Sequence, residues 1–289
     1  MYTIVAASQK GGSGKTTLSG HLAVEASRAG AGEIALIDTD PQGSLAHWWN
    51  ARTAPEPRFV KAGLPDLDQA LEGLRRMGIK IAVIDTPPAI TQSISQVVAH
   101  ADLVIVPTRP SPHDLRAVGA TVDIAERHGK PLVFVINAAT PRARITGESA
   151  VALSQHGTVA PVTIHHRTDF AASMIDGRTV GEVVPDSQSA KEISDLWSYL
   201  QDRLSRIVHD PTLLPEVKLG HLAINSLLSE AAESASAAGL IVPPLIETPT
   251  YEGPERRLGQ ERRLILEPRP HERRVFGRRA TDQVHWGHK

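Results

Sequence analysis

One octapeptide constrains this chain more than any other feature: Lys10-Gly11-Gly12-Ser13-Gly14-Lys15-Thr16-Thr17, directly after the apolar run Thr3-Ile4-Val5-Ala6-Ala7. Glycines let successive backbone N–H groups point into one concavity without Cβ clashes. A helix opening at Lys15 adds its positive end, Lys15 adds a charge, and Thr16 adds a hydroxyl suited to Mg2+. The octapeptide fits the phosphate-loop pattern G-x-x-x-x-G-K-[ST] in a modified form, because the glycine cluster begins only at Gly11. A strand, a phosphate-binding turn and a helix are therefore expected in that order.

The rest of the body supports an α/β reading. Ile34–Ile37, Ile81–Ile84, Leu103–Val106 and Leu132–Ile136 are four more uninterrupted apolar runs. Such runs fit strands buried on both faces of a parallel sheet. Amphipathic stretches separate them, at Lys15–Arg28, Leu64–Met77, His113–His128 and Ser187–Ile207. The expectation is a mostly parallel twisted sheet with helices on both faces and right-handed crossovers. Ligands of such sheets bind beyond the carboxyl ends of the strands.

Two of those ends carry carboxylates. Asp38-Thr39-Asp40-Pro41-Gln42 follows the second run, and Asp85-Thr86-Pro87-Pro88 follows the third. A strand-end aspartate is either a helix cap or the group that supports a phosphate-bound Mg2+. Two of them following a phosphate loop favour the metal, with Thr16, Asp38 and Asp85 as its candidate holders. Asn137, after the fifth run, is either a base contact or a turn former. The 13 histidines are scattered and make no metal pattern with nearby acids.

Together these motifs resemble the ParA/MinD-type ATPases with a deviant Walker A motif. Lys10 matches their early extra lysine, Asp38–Gln42 their Walker A′ and Ile84–Pro88 their Walker B. Trp48, Pro107 and Pro110-Ser111-Pro112-His113-Asp114 look like the small, ParF-like partition branch. The resemblance covers roughly residues 1–207. It implies ATP and Mg2+ as cofactors, bound by Gly11, Gly12, Ser13, Gly14, Lys15, Thr16 and Thr17, with Asn137 at the adenine. It implies an ATP-bound homodimer in which Lys10 acts on the partner's nucleotide, Lys15 acts in cis, and Asp40 orients the attacking water. It also implies nonspecific DNA binding and a ParB-like or other adaptor that stimulates slow hydrolysis. Arg142, Arg144, Arg167, Arg178, Lys191, Arg203 and Arg206 are the candidate DNA contacts, with Arg167, Arg178 and Arg203 foremost.

Charge and composition sharpen this. The chain has a formal net charge of −1, but residues 243–289 hold ten Lys+Arg against seven Asp+Glu, leaving 21 against 25 in residues 1–242. That tail repeats Glu-Arg-Arg at 255–257, 261–263 and 272–274 and is broken by prolines. It reads as a disordered segment serving as a tether, a DNA-binding arm or a docking segment. Residues 208–242 read as a linker and one appended helix, closed by Gly239. That helix carries Glu216, Glu230 and Glu233 against Lys218, which suits an anionic membrane poorly. No signal peptide, membrane span or preceding helix-turn-helix is expected, so the protein reads as cytoplasmic and nucleoid-associated. With no cysteine, the iron–sulfur and arsenite-pump relatives of this phosphate loop are excluded. The expected function is partition or positioning of plasmid or chromosomal DNA. The alternatives are positioning of a protein cargo such as a receptor array or microcompartment, a MinD-like membrane switch, and a dethiobiotin-synthetase-like ligase.

Overall fold

A computed structural model describes residues 1–88 and 91–209, without the side chains of residues 91, 208 and 209. The five apolar runs are all strands: β1 (Tyr2–Ala6), β2 (Ile34–Asp38), β4 (Ile81–Asp85), β5 (Leu103–Thr108) and β6 (Leu132–Ile136). Two short strands close the edges, β3 (Arg58–Lys61) and β7 (Thr158–Val159). The sheet has seven strands in the order β3-β2-β4-β1-β5-β6-β7, and every pair is parallel.

The runs are continuous because successive residues enter different cores. Ile4, Leu36, Val83, Ile105 and Val133 face one cluster, with Leu18, Leu22, Trp48 and Trp197. Val5, Ile37, Ile84, Val104 and Phe134 face the other, with Leu67, Leu71, Ile94, Val98 and Ile124. Strand alternation thus places an apolar side chain on each face at every step. The first face is covered by α1 (Lys15–Arg28), α2 (Ser44–Asn50), α8 (Thr168–Ser173), α9 (Val180–Val183) and α10 (Gln188–His209). The second is covered by α3 (Leu67–Arg76), α4 (Thr91–Val98), α6 (Gly119–Arg127) and α7 (Arg144–Ser154). The three-layer α/β architecture expected from the strand–helix alternation is present.

Three details differ from the sequence reading. The stretch His113–His128 is two helices, α5 (Pro112–Ala117) and α6, separated at Val118. The last helix runs through His209 rather than ending at Ile207. The short helices α2 and α9 were invisible to periodicity, since four to seven residues span too few turns to show it. The linker and appended helix beyond His209, and the Arg/Pro-rich tail 243–289, lie outside the described residues.

Candidate nucleotide site

Sheet register brings the chemistry together. Ala6, Asp38 and Asp85 stand side by side at the carboxyl ends of β1, β2 and β4. The loop from Ala7 to Gly14 leaves β1 at the centre of the sheet and runs into α1. Cross-strand hydroxyls lock this rim: Thr39 Oγ1 donates to the Asp85 carbonyl at 2.6 Å, and Thr86 Oγ1 to the Ala6 carbonyl at 2.8 Å.

The loop has the conformation that its glycines allow. Gly14 sits at φ +100, and a Cβ there would lie 2.0 Å from Asn137 Nδ2. The Asn137 amide donates to the Ser13 carbonyl at 2.7 Å. Asn137 therefore braces the phosphate loop from the end of β6, a role the sequence reading did not foresee. Ser13 Oγ is buried with no hydrogen-bond partner among the described residues.

At the mouth of α1, Thr16 Oγ1 donates to Asp85 Oδ2 at 2.6 Å. Asp85 Oδ1 is buried without a partner among the described residues, and burial pushes the carboxyl up to about 7 despite the Thr16 bond. Lys15 is only 6% exposed, and burial lowers its pKa, opposed by the charges of Asp85 and Asp40. A buried ammonium and a buried carboxylate with an orphaned oxygen are costly unless a charged ligand completes them.

Asp38 is held differently. Its Oδ1 accepts from Asp40 N at 3.0 Å and its Oδ2 from Ala46 N at 2.9 Å. The helix-cap reading of a strand-end aspartate is thus realised at Asp38, which satisfies the first turn of α2. Burial raises its pKa, and these two amides work against that rise. The cap also fixes the turn carrying Asp40, whose Oδ1 accepts from Gln42 N at 3.0 Å.

Mg2+ takes oxygen ligands and keeps several waters, relying on few protein groups. The Thr16 hydroxyl and the unpartnered Asp85 Oδ1 are oxygen donors of that kind, with Asp38 beside them in register. Among the described residues no group of three or more His, Asp or Glu converges on a metal point. The fit is therefore to a cation shared with nucleotide phosphates, not to one held by protein alone.

The remaining predicted residues separate from this rim. Lys10 is exposed, with its backbone N–H donating to Ser8 Oγ at 3.2 Å. Arg167 makes two bonds to buried Glu192, at 2.7 and 2.8 Å. That contact raises the Arg167 pKa, and it holds Glu192 below the usual carboxylate range against the opposing effect of burial. Arg178 pairs with Asp176 at 2.6 Å, Arg144 with Glu148 at 3.0 Å and Arg206 with Asp202 at 2.8 Å. Arg203 donates to Thr158 Oγ1 at 3.2 Å at the amino end of β7, away from the phosphate-loop end of the sheet. Arg144, Arg167, Arg178 and Arg206 therefore carry less free charge than a sequence count suggests, whereas Arg203 meets only a hydroxyl. Arg109, at the end of β5, was not singled out in sequence, although an arginine closing an apolar run marks the same rim as Asp38 and Asp85.

Comparison with known proteins agrees with this geometry. Residues 4–180 match the CobQ/CobB/MinD/ParA nucleotide binding domain. The chain is 27% identical over 201 residues to maintenance of carboxysome distribution protein A from Halothiobacillus neapolitanus, covering 66% of this chain and 92% of that relative. It is 30% identical over 124 residues to protein ParA from Rhizobium radiobacter, covering 42% and 53%. Among solved structures, the cell division ATPase MinD of Pyrococcus furiosus has a TM-score of 0.60 at 16% identity, covering 70% of this chain and 99% of that one. An ATP complex of a Cyanothece McdA variant has a TM-score of 0.55 at 18% identity, covering 70% and 96%. At such identities the structural likeness establishes the fold.

Proposed function

Because this chain belongs to the CobQ/CobB/MinD/ParA nucleotide-binding domain family, we propose that it is an ATP-driven switch that positions a cargo along DNA. The observation that carries the reading is the Thr16–Asp85 bond at the mouth of the phosphate loop, beside a buried Lys15 and an unpartnered Asp85 oxygen. Those groups suit a bound phosphate and its cation, which would satisfy both charges.

In this reading the N–H groups of Gly11 to Thr17 cradle the phosphates and Lys15 neutralises them from the same chain. Thr16 and Asp85 would hold Mg2+, with Asp38 behind them, and the cation would offset charge developing on the phosphoryl oxygens. Asp38, through Asp40 N, keeps the Asp40 carboxylate in place to orient the attacking water. Phosphoryl transfer needs placement and charge stabilisation more than covalent help, so these groups suffice. Exposed Lys10 would reach a second copy's nucleotide, which makes the ATP-bound dimer the active form, and an adaptor protein would speed its slow hydrolysis.

DNA retention would come from surface cations that contact phosphates without reading sequence. Arg142 and Lys191 are candidates beside the partly neutralised Arg167 and Arg178. A protein cargo is the favoured alternative to a DNA cargo, because similarity to the carboxysome distribution protein extends over 92% of that relative.

The test is co-sedimentation of the full chain with DNA, in ATP or ADP, across a salt series. Retention in ATP alone, declining steeply with salt, is the expected result. Equal retention in both nucleotides, or none in either, overturns the switch. A fluorescent fusion then separates the cargoes, since a DNA cargo gives foci that follow a plasmid and a protein cargo gives foci that follow a protein assembly.

A further inference from the structure

We infer that Arg109 binds the terminal phosphate of the nucleotide from within the same chain; this rests on the reading of the loop as an ATP site. A guanidinium nitrogen of Arg109 lies 3.7 Å from where a Cβ on Gly12 would stand. Gly12, at φ +73, has no side chain, so nothing of that residue stands between the guanidinium and the loop backbone. Arg109 is exposed and, among the described residues, makes no hydrogen bond or ion pair through its side chain. Arg109 shares this loop with Lys15 and the amino end of α1, all of one sign. The arrangement becomes favourable when an anion lies between them.

The mount is stiff. Arg109 directly follows β5, and its carbonyl accepts from Ser111 N at 2.7 Å across Pro110. Ser111 caps α5, accepting from Asp114 N at 3.2 Å and donating to Asp114 Oδ2 at 2.5 Å, with Pro112 opening the helix. The base fixes where the Arg109 side chain starts, and its planar fork suits two phosphate oxygens.

Position selects the phosphate. Thr16 and Thr17 N–H groups open α1 at one end of the loop. Gly12 lies on the upstream half of the loop, away from that helix end. A cation over Gly12 therefore meets the phosphate distal to the nucleoside, and Arg109 senses whether that phosphate is present. Because Arg109 leads straight into α5 and α6, the β5–α5 turn would follow the nucleotide state.

The test is isothermal titration of the full chain with Mg2+ and either ADP or a non-hydrolysable ATP analogue. Arg109→Ala should weaken the triphosphate by about tenfold or more and the diphosphate by less than about threefold, as expected for one lost charge-assisted contact. Arg109→Lys should recover part of the loss, since charge returns without the fork. Thermal unfolding without nucleotide should match the wild type, which excludes a folding defect. Equal losses on both nucleotides, or no loss, overturn the inference. A wild-type chain that binds neither nucleotide overturns the ATP reading instead, and Lys15→Ala, expected to lose both, keeps the two failures apart.

Discussion

His21 Nδ1 lies 2.8 Å from the Thr17 carbonyl, and His21 Nε2 accepts from Val180 N at 3.3 Å. A carbonyl only accepts, so Nδ1 carries the hydrogen and Nε2 must keep its lone pair. The ring is neutral by geometry, and burial lowers its pKa to about 4. Between the unfolded value of 6.5 and about 4 the unfolded chain binds the extra proton, so stability is full above that window and falls as pH drops through it. The loss reaches roughly 3 kcal/mol by pH 4. Urea unfolding at pH 7.5 and 5.0 should show about 2 kcal/mol of this loss by pH 5.0 as the difference between the wild type and His21→Gln. Taking the difference between the two proteins removes Asp85, whose raised pKa acts in the opposite sense. A residue-scale reading of the sequence identifies what each group can do, as with Lys15 and Thr16, because their roles follow from a contiguous loop. It does not show the neutral tautomer of His21, whose second partner lies 159 residues away.

At the scale of elements, α2 links the nucleotide rim to the start of α9. Its first turn is held by Asp38. Near its other end, Trp48 Nε1 donates to the Arg178 carbonyl at 3.2 Å. Arg52, 3% exposed, forms a two-pronged pair with Glu182 at 2.7 and 2.9 Å. Glu182 also closes a capping box with Thr179. Gly177, at φ +78, lets the backbone pass Arg52, where a Cβ would stand 2.3 Å from its nitrogen. Glu182→Gln leaves the guanidinium buried with a weaker partner and should cost about 2–3 kcal/mol, less than a fully buried pair because Glu182 is partly exposed. Chemical denaturation would record it as a lower midpoint at unchanged slope. The five central strands were legible in sequence because burial on both faces makes them uniformly apolar. The edge strand Arg58-Phe59-Val60-Lys61 was not, because its ends are exposed and its middle only half-buried. Strand β7 has two residues, too few to show any period.

At the scale of the whole molecule, Lys10 is the informative residue. It belongs to the phosphate loop and yet is exposed, which suits the proposed reach to a second copy's nucleotide. Lys10→Ala should bind nucleotide as the wild type does and fail to form a dimer in ATP. Light scattering checks this, and an ATP-dependent dimer of the variant would remove Lys10 from the interface. The net charge of −1 says little at this scale, since fields act locally. No helix among the described residues is long and apolar enough to cross a membrane.

The amino-acid sequence alone made legible the five central strands, the long helices, the phosphate loop and the two strand-end carboxylate motifs. Those features are written in contiguous residues, where periodicity, glycine content and spacing act. Tertiary structure alone decided which partner each polar group takes. It set Asn137 against Ser13, made Asp38 a cap for α2, committed Arg167 to Glu192 and laid Arg109 over Gly12. The physical reason is that a side chain's type is local, whereas its charge balance depends on residues that a parallel sheet brings together from far along the chain.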